Sequence, residues 1–265
     1  MKNRAILDQR PTTNDQRPTT NDPSLWQKIW SSKGSDTTAR DILANHTTEE
    51  IVTELKRLDG FDSVGFQLPF EAYNHQYIQI RNELSFGSLC THELKSVFEV
   101  GCGSGAELFL FQQDGIKTGG IDYSEQLIRI ARGVIGEHNE LICGEAVNTP
   151  TEIKYDGVFS NSVFSYFPNY DYAERVLELM YMKSNYSIGI IDVHDIKKHE
   201  AFMKYRAETV KDYGAKYKGL DKLFFSKEFF INFAEKHGLN IRFAYSDVPG
   251  YWNNEFAFDV FITRG

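Results

Sequence analysis

Val97-Phe98-Glu99-Val100-Gly101-Cys102-Gly103-Ser104-Gly105 is an apolar run that enters a turn carrying three glycines, and Ala106-Glu107-Leu108-Phe109-Leu110-Phe111 continues it with a helical opening. The order predicts a strand, a turn and a helix. Glycines lack Cβ atoms, so a ligand can approach the backbone, and the helix N-terminus presents free N–H groups. Three glycines also suit a tight turn without chemistry, so the next segment decides. Lys117-Thr118-Gly119-Gly120-Ile121-Asp122 reads as a second short strand ending in an acid, about twenty residues on, where nucleotide-binding folds place a carboxylate on ribose hydroxyls. Gly101-x-Gly103-x-Gly105 differs from the dinucleotide spacing G-x-G-x-x-G, because its third glycine comes one position early. That spacing argues against a pyrophosphate cradle.

The bulk composition fits one catalytic domain with an N-terminal extension. The chain has 265 residues, of which 41% are hydrophobic, enough for one substantial core. Its formal net charge of −8 repels phosphate backbones and speaks against a nucleic-acid partner. Cys90, Cys102 and Cys143 form no CxxC pair, which predicts a reducing cytoplasm. No apolar run long enough to span a membrane and no signal-peptide pattern is expected to place the protein at a membrane. Residues 8–14, DQRPTTN, recur as residues 15–21. Polar and proline-bearing, residues 1–22 read as a disordered tail, with a docking peptide as the functional alternative.

Residues 23–92 read as a helical extension. Asp22-Pro23 suits a helix start, and Trp26, Ile29 and Trp30 share one face. Thr47-x-x-Glu50 has the form of a capping box ahead of Ile51, Val52 and Leu55, and Leu58-Asp59-Gly60-Phe61-Asp62 breaks that helix. Tyr73, Tyr77, Ile80 and Leu84 have helical spacing and predict a helix on the sheet edge, with His75 facing solvent. After Asp122, a helical face of Leu127, Ile128, Ala131, Val134 and Ile135 precedes the strand Glu140-Leu141-Ile142-Cys143 and the turn Gly144-Glu145-Ala146. Tyr155 to Ser162 reads as a fourth strand and its exit, Tyr172 to Met182 as a helix, and Tyr186 to Asp192 as a buried fifth strand.

Strand C-terminal ends line the ligand crevice of an open α/β sheet, which places Ser160, Asn161 and Ser162 beside the reacting centre. His194, in Asp192-Val193-His194-Asp195, is the general-base candidate, since its pKa is near neutrality and a carboxylate can orient it; the alternative is an exposed loop histidine. Residues 196–225 form a candidate cover with a helix from His199 to Tyr213, and Tyr205, Tyr213 and Tyr217 either line a pocket or pack that helix. Ser226 can cap a helix burying Phe229, Phe230, Phe233 and Ala234. Asn240 to Tyr245 and Glu255 to Thr263 read as a final antiparallel pair, with Trp252 facing either the cleft or its own sheet.

On Glu99 to Gly105 and Ile121-Asp122-Tyr123-Ser124 the chain resembles the class I S-adenosylmethionine-dependent methyltransferases, over roughly residues 95 to 192. The resemblance implies a Rossmann-like α/β fold: a seven-stranded, mostly parallel sheet with helices on both faces and an antiparallel final strand, spanning residues 93–265. It implies S-adenosyl-L-methionine as cofactor. Gly101, Cys102, Gly103 and Gly105 would approach it, with Glu99 orienting the loop or the methionine end. Asp122 and Tyr123 would meet the ribose side, and Gly144, Glu145 and Ala146 the adenine, unless Glu145 is merely solvated. Ser160 and Asn161 would stand near the sulfonium, with Trp30 as part of a lid. Asn161-Ser162-Val163-Phe164 departs from the Asp/Asn-Pro-Pro-Tyr/Phe pattern of DNA amino-methyltransferases, and no acid set suggests a metal. The expected acceptor is a small molecule methylated on a hydroxyl. Trp26-x-x-x-Trp30, Lys33-Gly34 and Leu58 to Asp62 are similar to bacterial methyltransferases of surface polysaccharides, and secondary metabolism is another setting. A small-amine N-methyltransferase and a non-catalytic binding protein are the alternatives.

Overall fold

The computed structural model describes residues 29, 37–44, 47–60, 67–86 and 93–264. The repeat tail, Trp26, Trp30 and the Lys33-Gly34 pair lie outside the described residues. Three helices precede the sheet: α1 (Ala39–Leu43), α2 (Thr48–Asp59) and α3 (Phe70–Phe86). The sheet and its helices follow as β1 (Ser96–Val100), α4 (Ala106–Gln113), β2 (Lys117–Asp122), α5 (Glu125–Ile135), β3 (Glu140–Cys143), β4 (Tyr155–Asn161), α6 (Tyr170–Lys183) and β5 (Ser184–His194). The last part contains α7 (His199–Thr209), α8 (Tyr213–Lys216), α9 (Lys227–His237), β6 (Asn240–Ala244) and β7 (Ala257–Thr263).

All seven strands join one sheet in the order β3-β2-β1-β4-β5-β7-β6. The first five run parallel, and β7 lies antiparallel between β5 and β6. The order reverses at β1, which opens a crevice above its C-terminal end. Period-two alternation sends Val97 and Phe159 to one face, with Tyr73, Leu108 and Ile128, and Phe98 and Val158 to the other, with Val176, Leu177 and Phe230. Both faces are therefore covered, as a parallel sheet requires. No helix among the described residues is long and apolar enough to cross a membrane.

Local signals explain most boundaries. Thr47 and Glu50 form the reciprocal capping box that starts α2, and Gly60 ends it in the left-handed conformation. The Asn169 side chain accepts from the Tyr172 amide, so α6 begins two residues before the sequence pattern suggests. Helix α3 lies over the middle strands rather than the sheet edge, because Gly157 and Gly189 leave room for Leu84 on β4 and β5. β5 runs on to His194 because β7 pairs Phe258 and Ala257 with Val193 and His194. The predicted helix from His199 to Tyr213 breaks into α7 and α8 at Asp212, which has φ +58°. Ser226 stands at the start of α9, but its side chain makes no capping bond. His75 is exposed, as expected, and meets Asp247 at 2.9 Å.

Candidate active site

One cavity of about 740 Å³ opens at the C-terminal ends of β1, β2, β4 and β5. Its first end is built around the glycine turn. Gly101, Gly103 and Gly105 all have positive φ, at 79°, 51° and 87°, where any side chain is strained. A Cβ at Gly101 would run into Val163, one at Gly103 into the Asp59 carboxylate, and one at Gly105 into Ile135. Close packing of protein against protein, as much as approach of a ligand, thus demands these glycines. Gly105 faces α5 and does not line the cavity, which corrects its expected role; Gly101, Cys102 and Gly103 do line it.

Two carboxylates hold the turn. The Gly103 amide donates to Asp122 Oδ2 at 3.0 Å and the Ser104 amide to Asp59 Oδ1 at 2.7 Å. Asp122 Oδ1 also accepts from the Ser124 amide at 2.8 Å, so Asp122 ties the first turn to the start of α5. Behind the turn, buried Lys56 of α2 pairs with Glu107 of α4. Glu107 also accepts from Asn161 Nδ2 at 2.7 Å, and Asn161 donates to Gln76 at 3.1 Å. Glu99 is 2% exposed and its Oε2 has no hydrogen-bond partner. Burial, then the neighbouring Glu107, push its carboxyl well above the usual carboxylate range. Burial likewise raises Asp122 and pushes Asp59 up to about 7. This end therefore gathers Asp59, Glu99, Glu107, Asp122 and Glu145, with Lys56 as the cation among the described residues there. Such a set suits a ligand with hydroxyls and a positive charge.

Tyr123, Gly144, Glu145 and Ala146 line the same end, where Glu145 accepts from the Tyr172 hydroxyl at 2.8 Å. Ser160 does not line the cavity: it is buried and its hydroxyl donates to the Val100 carbonyl at 2.8 Å, stitching β4 to β1. Its neighbour Asn161, on the opposite face of the strand, reaches the cavity.

The other end lies between β5, the cover and the β6–β7 connection. Ser162, just after β4, and Asp192, at a register shift in β5, both have positive φ, 59° and 60°. Asp192 accepts from Ser162 Oγ at 2.7 Å, Tyr251 Oη at 2.9 Å and Asn253 Nδ2 at 2.6 Å. His194 is not an exposed loop histidine; it is 2% exposed in the last position of β5. Phe202 and Phe224 flank its ring at centroid distances of 4.8 and 5.1 Å, and Nδ1 has no hydrogen-bond partner. Among the described residues no carboxylate bonds to its ring, contrary to expectation: Asp192 is engaged as described, and Asp195 accepts from the Lys197 amide. Burial, Lys222 and Arg206 hold its pKa well below the ordinary histidine value. Tyr217 lines the cavity, whereas Tyr205 stacks on Trp252 at 5.5 Å and Tyr213 packs against Tyr217 at 4.8 Å. Trp252 faces the cavity and also packs on Phe202.

A titration signature lies just behind this end. Asp259 of β7 accepts from the Asp192 amide at 2.9 Å, and burial pushes its carboxyl up to about 7. The unfolded chain releases that proton near pH ~4. Between these values the folded state holds more protons, so stability falls as pH rises. Asp259→Asn keeps an acceptor for the amide. Its melting temperature should exceed wild type at about pH 8 and approach it at about pH 5; an equal difference at both would refute the assignment.

Sequence reading missed Lys56, Asp59, Glu107, Arg206 and Lys222 as cavity residues. A signal existed for three of them. Lys56 and Asp59 stand four and seven positions after Val52, on the apolar stripe of α2, and Glu107 interrupts an otherwise apolar opening of α4.

Residues 97–182 match the sequence model of a methyltransferase-domain family. No curated protein sequence matches the chain. Among solved structures, magnesium protoporphyrin IX methyltransferase ChlM from Synechocystis PCC 6803 with bound SAH superposes with a TM-score of 0.56 at 15% identity, covering 83% of this chain and 100% of that one. The plantazolicin methyltransferase BamL, in complex with a triazolic desmethylPZN analog and SAH, gives 0.55 at 17% identity over 90% and 98% of the two chains. CalS10 from Micromonospora echinaspora, an amino pentose methyltransferase with bound SAM, gives 0.54 at 11% over 73% and 92%. At these identities the likeness is one of fold. Residues 97–182 thus carry a methyltransferase domain, set in a chain that shares its fold with methyltransferases crystallised with SAM or SAH.

Proposed function

We propose that the chain transfers a methyl group from S-adenosylmethionine to a hydroxyl of a small-molecule acceptor, with His194 receiving the hydroxyl proton. The observation that carries this reading is the continuity of one cavity from the glycine turn to His194. The cofactor, when bound, supplies a methyl group already activated on a sulfonium. The chain's own work is to bind, align and exclude water. Glu99, with its unpartnered Oε2, suits the ammonium of the methionine end. Asp122 suits the ribose hydroxyls, and Glu145 the adenine edge, with Tyr123, Gly144 and Ala146 as walls.

At the other end, His194 is held neutral by its surroundings, the form that can accept a proton. As the acceptor oxygen takes the methyl group, the C–S bond would break with its electron pair left on sulfur as a neutral thioether, the O–H pair would stay on oxygen, and the proton would pass to the imidazole of His194. Arg206 and Lys222 at this end oppose an ammonium acceptor, which favours the hydroxyl over the amine reading. Residues of α2 and of the 196–225 segment both line the cavity, which suits an enclosed small molecule. Structural neighbours that act on an amino pentose and on plantazolicin support a small-molecule or peptide acceptor. The free thiols of Cys102 and Cys143 suit a reducing cytoplasm.

The test is calorimetric titration with S-adenosylmethionine, followed by mass detection of the demethylated product across hydroxylated, amine and acidic acceptors. Failure to bind the cofactor would overturn the reading. His194→Ala should lower turnover by roughly 10²-fold or more at unchanged cofactor affinity. Retained full turnover would remove His194 from the reaction.

A further inference from the structure

The two ends of the cavity differ in charge. Acids gather at the glycine turn, whereas the far end holds Arg206 of α7 and Lys222. No carboxylate among the described residues forms an ion pair with either. Arg206 is 5% exposed and its Nε has no hydrogen-bond partner. Its guanidinium lies over the rings of Tyr213, Tyr217 and Trp252 at 5.1, 5.3 and 5.0 Å, and Lys222 lies over Tyr166 at 4.5 Å. Aromatic faces soften the burial of a cation but offer no lone pairs to its N–H groups. Asp192, the buried acid at this end, feels the charge of Lys222, yet its oxygens already serve Ser162, Tyr251 and Asn253. A buried guanidinium without a counter-ion is a costly arrangement unless a ligand completes it.

We infer that the methyl acceptor carries an anionic group, a carboxylate or a phosphate, which Arg206 and Lys222 bind while the surrounding aromatic rings hold the adjoining part of the molecule. The inference rests on the reading above, in which the glycine-turn end takes the methyl donor and the far end takes the acceptor. A guanidinium fork matches either anion with paired N–H donors, and the ammonium adds a point charge beside it. The arrangement also links recognition to proton transfer. Burial first, and then the same two cations, depress the basicity of His194, so an anion that neutralises the cations relieves the smaller part of that depression when the acceptor is in place.

The test uses protein saturated with S-adenosylhomocysteine and three probes of one shape: benzoate, phenyl phosphate and the uncharged benzamide. At least one anion should bind about ten-fold or more tightly than benzamide, and the better of the two identifies the group. Lys222→Gln and Arg206→Gln should each remove most of that margin while leaving S-adenosylhomocysteine affinity unchanged. If Arg206→Gln fails to fold, Lys222→Gln, half-buried at the cavity wall, carries the comparison. The proposal is overturned if neither anion binds more tightly than benzamide, or if the margin survives in Lys222→Gln. Failure of the donor-site reading would show separately, as wild-type protein that does not bind S-adenosylhomocysteine.

Discussion

Asp122→Ala should abolish measurable S-adenosylmethionine binding. The carboxylate stands at the end of β2, facing the cavity, and holds the Gly103 amide at 3.0 Å and the Ser124 amide at 2.8 Å. Alanine removes the carboxylate proposed to meet the ribose hydroxyls and also releases both turns. Each buried N–H left without an acceptor costs about 1–3 kcal/mol, and hydrogen bonds to a charged group contribute about 1.5–3 kcal/mol. Even partial losses weaken binding by roughly 10²-fold or more. Asp122→Asn should not rescue it, because asparagine has one acceptor oxygen and would turn an NH₂ toward the second amide. Calorimetry decides the matter, and an unchanged dissociation constant in Asp122→Ala would refute the role.

Lys56→Met should destabilise the fold by about 3–5 kcal/mol, as expected when one partner of a buried ion pair is removed. Lys56 and Glu107 are both buried, and both lie close enough to Asp59 and Glu99 to influence their titration. Without the ammonium, Asp59, Glu99 and Glu107 share one end of the cavity with no cation among the described residues. Adding Glu107→Gln removes the stranded charge and keeps an acceptor for Asn161, so the double variant should be more stable than Lys56→Met alone. Denaturant unfolding measures both. Equal stability of the single and double variants would show that Glu107 is not the group Lys56 neutralises. The pair also joins α2 to α4, so the same variants report how firmly the N-terminal helices are fastened over the glycine turn.

The parallel core of this fold was legible because its signals are local. β1 and β5 contain apolar runs closed by a turn, β2 is marked by the acid that ends it, and α2 and α5 announce themselves by a cap and a stripe. Asp122 was legible for the same reason: an acid at a fixed remove from a glycine turn needs no tertiary information. Asp59 was not, since it comes from α2, and only the fold brings it to the Ser104 amide. Arg206 and Lys222 belong to the cover, whose sequence is an undistinguished mixture of lysines and aromatics. The burial of Arg206 is a property of the packed cover, not of its neighbours in the chain. His194 was singled out correctly as a cavity residue, but on a mistaken ground. The acids beside it in sequence point elsewhere, and what shapes it is a pair of phenylalanines from 8 and 30 residues further along the chain, at 202 and 224. Gly105 and Ser160 fit the pattern of a binding residue, yet one presses on α5 and the other fastens β4 to β1.

The two carboxylates that hold the glycine turn also act as a filter. In a turn that binds dinucleotides, the backbone amides wait for a phosphate; here those of Gly103 and Ser104 are already occupied by Asp122 and Asp59. A nucleotide entering with phosphates would have to displace a built-in acceptor and then sit against negative charge. A nucleoside joined to an uncharged or cationic tail meets no such opposition. A phosphorylated nucleotide should therefore bind at this turn more weakly than a nucleoside without phosphates, because the amides that would receive it are already engaged.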